Sequence, residues 1–161
     1  MTAALGLPYI QISGSGPIQP FGVIALLGLA AGVLVTVLLG RKRGIPGGEL
    51  GLITPIAALA VVFGAHFFDI AWYRWDLASR EPMLWLRIQD GVSVFGGVVG
   101  AALAIWPLAM GKPTLRAWAD VAALGMLVGL TVGRIGCALV HDHLGLPTDL
   151  PIGVDVPVDR L

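Results

Sequence analysis

The run of residues 21–40 contains no charged side chain and is almost entirely apolar. A stretch of about 20 such residues is long enough to cross the hydrocarbon core of a bilayer as an α-helix. Hydrophobic residues make up 57% of the 161 residues and charged residues only 12%, whereas an ordinary soluble domain is about 25% charged. The chain is therefore predicted to be an integral membrane protein.

Three further apolar stretches are predicted to cross the membrane, which gives an all-α, polytopic bundle of four transmembrane helices. The predicted spans cover about 21–40, 51–73, 92–110 and 119–140. Helices are expected because an open strand edge leaves backbone polar groups unbonded in lipid. We treat the chain as a single membrane domain, in which 1–20 is an interfacial segment and Asp120 caps the fourth helix.

Basic residues in the short loops indicate the orientation of the bundle. Two predicted loops on one side contain Arg41, Lys42, Arg43, Lys112 and Arg116. Loops rich in Lys and Arg stay in the cytoplasm, so the N-terminus is predicted to lie outside. The 74–91 loop and the 141–161 tail are then outside as well.

Charge balance and cysteine content exclude several classes of protein. Ten basic and ten acidic residues cancel, so no net positive field attracts nucleic acid. A single cysteine excludes both a disulfide framework and a cysteine-rich zinc module.

Small residues recur every four positions in three of the predicted spans. Such rows let helix backbones approach closely in lipid, where apolar side chains alone give little drive for association. The rows are Gly28, Gly32, Thr36 and Gly40 in the first span, Gly96, Gly100 and Ala104 in the third, and Gly125, Gly129 and Gly133 in the fourth.

Arg134 is the polar residue that least fits its surroundings, because an Arg at the centre of a span costs about 2.5–3.5 kcal/mol on insertion scales. It is followed along the helix by Cys137, His141, Asp142 and His143. His66 and Asp69 share one face of the second span. All these groups fall in the predicted outer half of the membrane, which favours a site open to the outer face.

Three other interpretations of these polar residues are open. Arg134 forms a structural ion pair with Asp69, or the bundle has no ligand at all. Alternatively, the chain is a small metal-binding membrane protein that uses His66, Asp69, His141, Asp142 and His143.

Four collinear stretches of the chain resemble the prolipoprotein diacylglyceryl transferase family. They are GPIQPFG at 16–22, QDGVSVFGG at 89–97, GLTVGRIGC at 129–137 and PTDLPIGV at 147–154. The resemblance implies a bacterial inner-membrane enzyme whose site faces the periplasm. Such an enzyme moves the diacylglyceryl group of phosphatidylglycerol to the thiol of a lipobox cysteine in a preprolipoprotein. Its partners are those two substrates and membrane lipid, with no nucleic acid, and no metal or organic cofactor is implied.

The resemblance also implies roles for particular residues. Arg134 would bind the phosphate and stabilise its developing charge, while Asp142, which falls within the family signature, would accept the thiol proton. Chemistry alone, and not the resemblance, adds His141 and His143 as candidate bases and His66 as a further catalytic candidate, with Asp69 orienting His66 or pairing with Arg134. The implied substrate-binding set is Arg134, Asp90, Ser93, Gly96, Gly97, Gly133 and Gly136.

The chain departs from the family pattern at several points. Phe95 stands where the family has His before the Gly-Gly pair, and Cys137 stands where it has Asn. Asp142 replaces a Glu, and His66 occupies the place of a basic residue in the second span. The family also has further spans with another functional Arg, so the chain is expected to be truncated relative to it. These departures favour, as an alternative, a non-catalytic relative that binds phospholipid.

Overall fold

The computed structural model describes residues 20–88, 91–140 and 146, and every regular element in this part of the chain is helical. The α-helices are α1 (Pro20–Lys42), α2 (Gly47–Phe68), α3 (Trp75–Arg80), α4 (Val94–Ala109) and α5 (Leu115–Val140). A π-helical turn, Asp69–Tyr73, continues α2, and a 3₁₀ helix, Pro82–Leu86, follows α3. The predicted all-α class is confirmed for these residues. The predicted interfacial segment 1–20 lies outside them except for Pro20, and the tail 141–161 except for Leu146.

Among the described elements, three helical segments are long and apolar enough to cross a membrane. They are Phe21–Lys42, Gly47–Tyr73 and Leu115–Leu139. The third predicted span corresponds to α4, which has 16 residues and is therefore about 24 Å long, shorter than a hydrocarbon core of about 30 Å. The chain is thus a multi-pass membrane protein, while the count of four spans stays a prediction.

The helices pack in two close pairs, α1 with α5 and α2 with α4. In the first pair, a Cβ atom added to Gly32 would lie 2.7 Å from the backbone oxygen of Gly125. In the second pair, a Cβ atom on Gly64 would lie 2.6 Å from the backbone oxygen of Gly96. The predicted role of the small residues in helix packing is confirmed at these contacts, because only glycine lets the backbones come so near.

The α1–α2 and α4–α5 connections lie together at one end of the bundle, which we call the Arg43 end. Arg43 contacts Asp120 at 3.3 Å, and Glu49 accepts a hydrogen bond of 2.8 Å from Thr114. A buried apolar cluster lies at the same end and includes Ile53, Trp118 and Val121. The prediction that Asp120 caps its helix is wrong, because α5 begins at Leu115 and Asp120 lies in the second turn.

We predict that Gly32→Ala lowers the free energy of unfolding by about 1–3 kcal/mol, because its methyl group meets a backbone carbonyl that cannot move aside. Gly22→Ala on the same helix is the matched control, since a Cβ atom there meets nothing within 4 Å. Thermal unfolding in detergent measures both variants. Equal stability of the two would contradict this account of the α1–α5 contact.

Candidate functional site

Among the described residues, the predicted site residues His66 and Arg134 lie at the end of the bundle opposite the Arg43 end. Along α2, His66 is 17 residues beyond Glu49, and along α5, Arg134 is 14 residues beyond Asp120. At 1.5 Å per residue these separations are about 26 and 21 Å. His66 and Arg134 therefore lie at similar distances from the Arg43 end. We call the end of the bundle where they lie the His66 end.

His66 is buried, with only 4% of its surface exposed. Its Nδ1 atom lies 3.2 Å from the backbone oxygen of Gly91, and its Nε2 atom lies 3.3 Å from the backbone oxygen of Trp85. Both ring nitrogens thus face backbone carbonyls of the connection between α3 and α4, and not an open cavity.

Asp69 forms an ion pair with Arg74 at the same end. The two side chains are 16% and 23% exposed, respectively. The hypothesis that Asp69 pairs with Arg134, or serves to orient His66, is therefore replaced by a pair with Arg74. The physical reason is the π-helical turn at Asp69–Tyr73, after which the chain turns back over the end of α2.

Ser93 connects the same segment to the start of α4. Its backbone N–H donates to the oxygen of Ala65 at 2.9 Å, and its hydroxyl oxygen accepts from the N–H of Gly96 at 3.4 Å. Ser93 is thus the N-cap of α4, a position that favours serine. Gly96 and Gly97 are buried against α2, where Gly96 lies on Gly64 and Phe68.

Arg134 lies on an exposed part of α5, six residues before that helix ends. It forms no ion pair with another residue of the described ranges 20–88 and 91–140. Its neighbour Gly133 is half-buried, while Gly136 is buried against Ile24 of α1. A long side chain this close to a helix end can extend its guanidinium towards the headgroup layer.

Four predicted site residues lie outside the described residues: Asp90, His141, Asp142 and His143. Their placement relative to Arg134 and His66 therefore remains a prediction. Within the described part of the chain no three His, Cys, Asp or Glu side chains gather around a common metal position. Three of the five ligands in the alternative metal-site hypothesis, His141, Asp142 and His143, lie outside that part.

Phe95 packs its ring edge-on against Phe68 with ring centres 5.0 Å apart. Phe67 contacts Trp85 in the same region, with centres 5.5 Å apart. Aromatic packing thus occupies the face of the α2–α4 pair next to the polar residues. A separate apolar groove on α4 is lined by Val99, Ala102, Leu103, Trp106 and Pro107 and includes none of the predicted site residues.

Arg74 and Gly91 belong to this arrangement but were not predicted as site residues. A regular α-helix places residues five apart at about 140° around its axis, so helical spacing gives no reason to pair Asp69 with Arg74. Gly91 lies against that ion pair, because a Cβ atom there would be 2.5 Å from Nη2 of Arg74. The aspartate-glycine dipeptide at 90–91 was the only sequence signal, and it indicated the segment but not the contact.

The chain is an integral membrane protein whose helices enclose buried polar groups and carry an arginine near one end. Comparison with known proteins identifies its family. The family model for prolipoprotein diacylglyceryl transferase matches residues 8–160. The chain belongs to this family.

Several curated relatives are phosphatidylglycerol–prolipoprotein diacylglyceryl transferases. The Treponema pallidum protein is 36% identical over an alignment of 113 positions, which covers 62% of this chain and 33% of the relative. The Streptomyces griseus protein is 30% identical over 168 aligned residues, covering 94% of this chain and 50% of the relative. A Clostridium perfringens relative is 27% identical over 146 residues, 89% of this chain and 57% of its own length. The chain thus spans about half the length of such relatives, or less.

We predict that Asp69→Asn lowers the free energy of unfolding by about 1–2 kcal/mol, because it removes the carboxylate charge that is paired with the largely buried Arg74 guanidinium. Asp76→Asn, at an exposed aspartate of α3, is the control and should change stability by less than about 0.5 kcal/mol. Thermal unfolding in detergent compares the two. If both variants unfold at the wild-type temperature, the pair contributes nothing to stability.

Proposed function

We propose that this chain binds phosphatidylglycerol at the His66 end and transfers its diacylglyceryl group to the thiol of a lipobox cysteine. The observation that carries the proposal is the family match over residues 8–160. The names of the relatives, which specify phosphatidylglycerol and prolipoprotein, support the two substrate classes.

Arg134 is proposed to bind the phosphate of the lipid. A guanidinium donates two parallel hydrogen bonds to phosphate oxygens, and it stabilises the charge that develops as the phosphate ester leaves. An arginine on an apolar helix also needs an anion or water nearby to offset its cost in lipid. The exposed position of Arg134, near the end of α5, supports this role.

The transfer is a displacement at C3 of the glycerol that carries the two acyl chains. The sulfur of the lipobox cysteine forms a bond to that carbon, the carbon–oxygen bond to the phosphate breaks, and glycerol phosphate leaves. The thiol proton goes to a base, for which we propose Asp142, with His141 and His143 as the other candidates. Substrate contacts are proposed at Asp90, Ser93, Gly96, Gly97, Gly133 and Gly136.

We further propose that the His66 end faces the periplasm and that the chain crosses the bacterial inner membrane four times. Arg41, Lys42 and Arg43 at the opposite end support this orientation, because basic loops stay in the cytoplasm. The preprolipoprotein substrate would then meet the site on the side of the membrane to which it is exported.

A second candidate function is phospholipid binding without transfer. Two positions favour it: Phe95, whose ring packs on Phe68 where the family has histidine, and Cys137 where the family has asparagine. A chain with this function would keep the contact of Arg134 with the lipid phosphate but lack the transfer step.

The test is transfer by the full chain in proteoliposomes that contain phosphatidylglycerol and a lipobox peptide. Formation of the thioether-linked diacylglyceryl peptide is followed by mass spectrometry. We predict that Arg134→Ala lowers the rate by about 100-fold or more, the range found when one group that stabilises transition-state charge is removed. Arg116→Ala is the matched control, because Arg116 is an exposed arginine at the opposite end of the same helix.

Each outcome of this experiment decides one point. Turnover that is unchanged in Arg134→Ala overturns the phosphate role of that residue. Saturable binding of phosphatidylglycerol without thioether product favours the second candidate function. Neither binding nor turnover by the wild-type chain contradicts both functions.

A further inference from the structure

The connection between α3 and α4 is held to the end of α2 by a buried histidine. The ring nitrogens of His66 lie 3.2 and 3.3 Å from the backbone oxygens of Gly91 and Trp85. These two carbonyls belong to positions six residues apart in the chain, so one imidazole contacts two separate points of the connection. Because only 4% of His66 is exposed, water does not readily take its place.

The chemistry of these contacts argues against a role for His66 in accepting a proton from substrate. A neutral imidazole carries one N–H, so His66 donates a hydrogen bond to one of these two carbonyl oxygens, and its other ring nitrogen also faces the backbone. A nitrogen that takes a proton from a thiol has to direct a free lone pair towards that thiol. Both nitrogens of His66 are instead directed at the backbone.

The ion pair between Asp69 and Arg74 supports the same segment from another side. A Cβ atom on Gly91 would lie 2.5 Å from Nη2 of Arg74 and 2.6 Å from Oδ2 of Asp69. The absence of a side chain at Gly91 therefore lets the backbone rest directly on the ion pair. Any larger residue has to displace the guanidinium or lift the segment away from α2.

The segment held in this way leads directly into two predicted substrate-binding positions. Asp90 immediately precedes Gly91 in the chain. Ser93 follows two residues later, where its N–H bonds to the oxygen of Ala65 on α2 and its hydroxyl caps α4. A shift of Gly91 would therefore move Ser93 and the start of α4 with it.

We propose that His66, Asp69, Arg74 and Gly91, together the Gly91 anchor, position residues 85–88 and 91–93 for substrate binding, and that His66 is a positioning residue and not a proton acceptor. This inference rests on the proposed function, because it assigns the anchor to the segment that carries Asp90 and Ser93. The anchor itself is a property of the described contacts and can be measured without any substrate.

Hydrogen–deuterium exchange of the full chain in detergent tests the anchor directly. We predict that His66→Ala raises amide exchange in segment 85–93 by about tenfold or more, since both carbonyl contacts are lost. His66→Gln keeps an N–H donor on a side chain of similar reach and should restore much of the protection. Thr54→Val is the control, because Thr54 is equally buried on α2 but lies far from this segment.

A double-mutant comparison tests the contact between Gly91 and the ion pair. Gly91→Ala should raise exchange in segment 85–93, because the new methyl group collides with the guanidinium. In Arg74→Ala the collision with the guanidinium is absent and only that with Oδ2 of Asp69 is left, so adding Gly91→Ala should cause a smaller further increase than it does in the wild type. Fully additive effects of the two substitutions would overturn the contact, and unchanged exchange in both His66→Ala and Gly91→Ala would overturn the anchor.

Transfer assays on the same samples separate the role of His66 from the proposed function. Glutamine cannot accept a proton at neutral pH, so recovery of transfer in His66→Gln relative to His66→Ala supports a positioning role. Restored protection without any recovery of transfer overturns that role. If the wild-type chain has no transferase activity but His66→Ala still loosens segment 85–93, the proposed function fails while the anchor stands.

Discussion

Direct contact between helix backbones is the constraint on which the rest of this structure depends. In lipid, apolar side chains are no better solvated by protein than by the bilayer, so helices associate where backbones can approach. Gly64 and Gly96 allow that approach between α2 and α4, which places the end of one helix beside the start of the other. The polar residues at the His66 end lie together because this contact aligns their backbones.

That alignment also explains how buried polar groups are accommodated at the His66 end. The nitrogens of His66 meet backbone oxygens, and Asp69 meets Arg74. Burial of a polar group is costly unless it is bonded or paired, and here each of these side chains has a partner from the connection that leaves α2. Arg134 differs from them, because it is exposed on α5 and forms no ion pair with another residue of the described part of the chain.

More of the fold than of the candidate site could be predicted from the sequence. Runs of apolar residues predict membrane helices, and glycines four apart predict the close contacts at Gly32 and Gly125, because both depend on local periodicity. Asp69 and Arg74 escaped prediction because their pairing requires a π-helical turn, which α-helical spacing does not contain. The start of α5 at Leu115 is not marked by hydrophobicity alone, and the sequence therefore predicts a cap at Asp120 instead. Arg134 could be singled out by its cost in lipid, but its partners could not.

The claim central to this account is that the lipid headgroup binds at the His66 end and not at the Arg43 end. A phosphatidylglycerol analogue with a photoreactive headgroup, incorporated into proteoliposomes with the full chain, measures this directly when the labelled peptides are mapped by mass spectrometry. The account predicts adducts within residues 91–97 and 130–137. Adducts confined to residues 41–49 and 110–120, the basic loops at the other end, would contradict it.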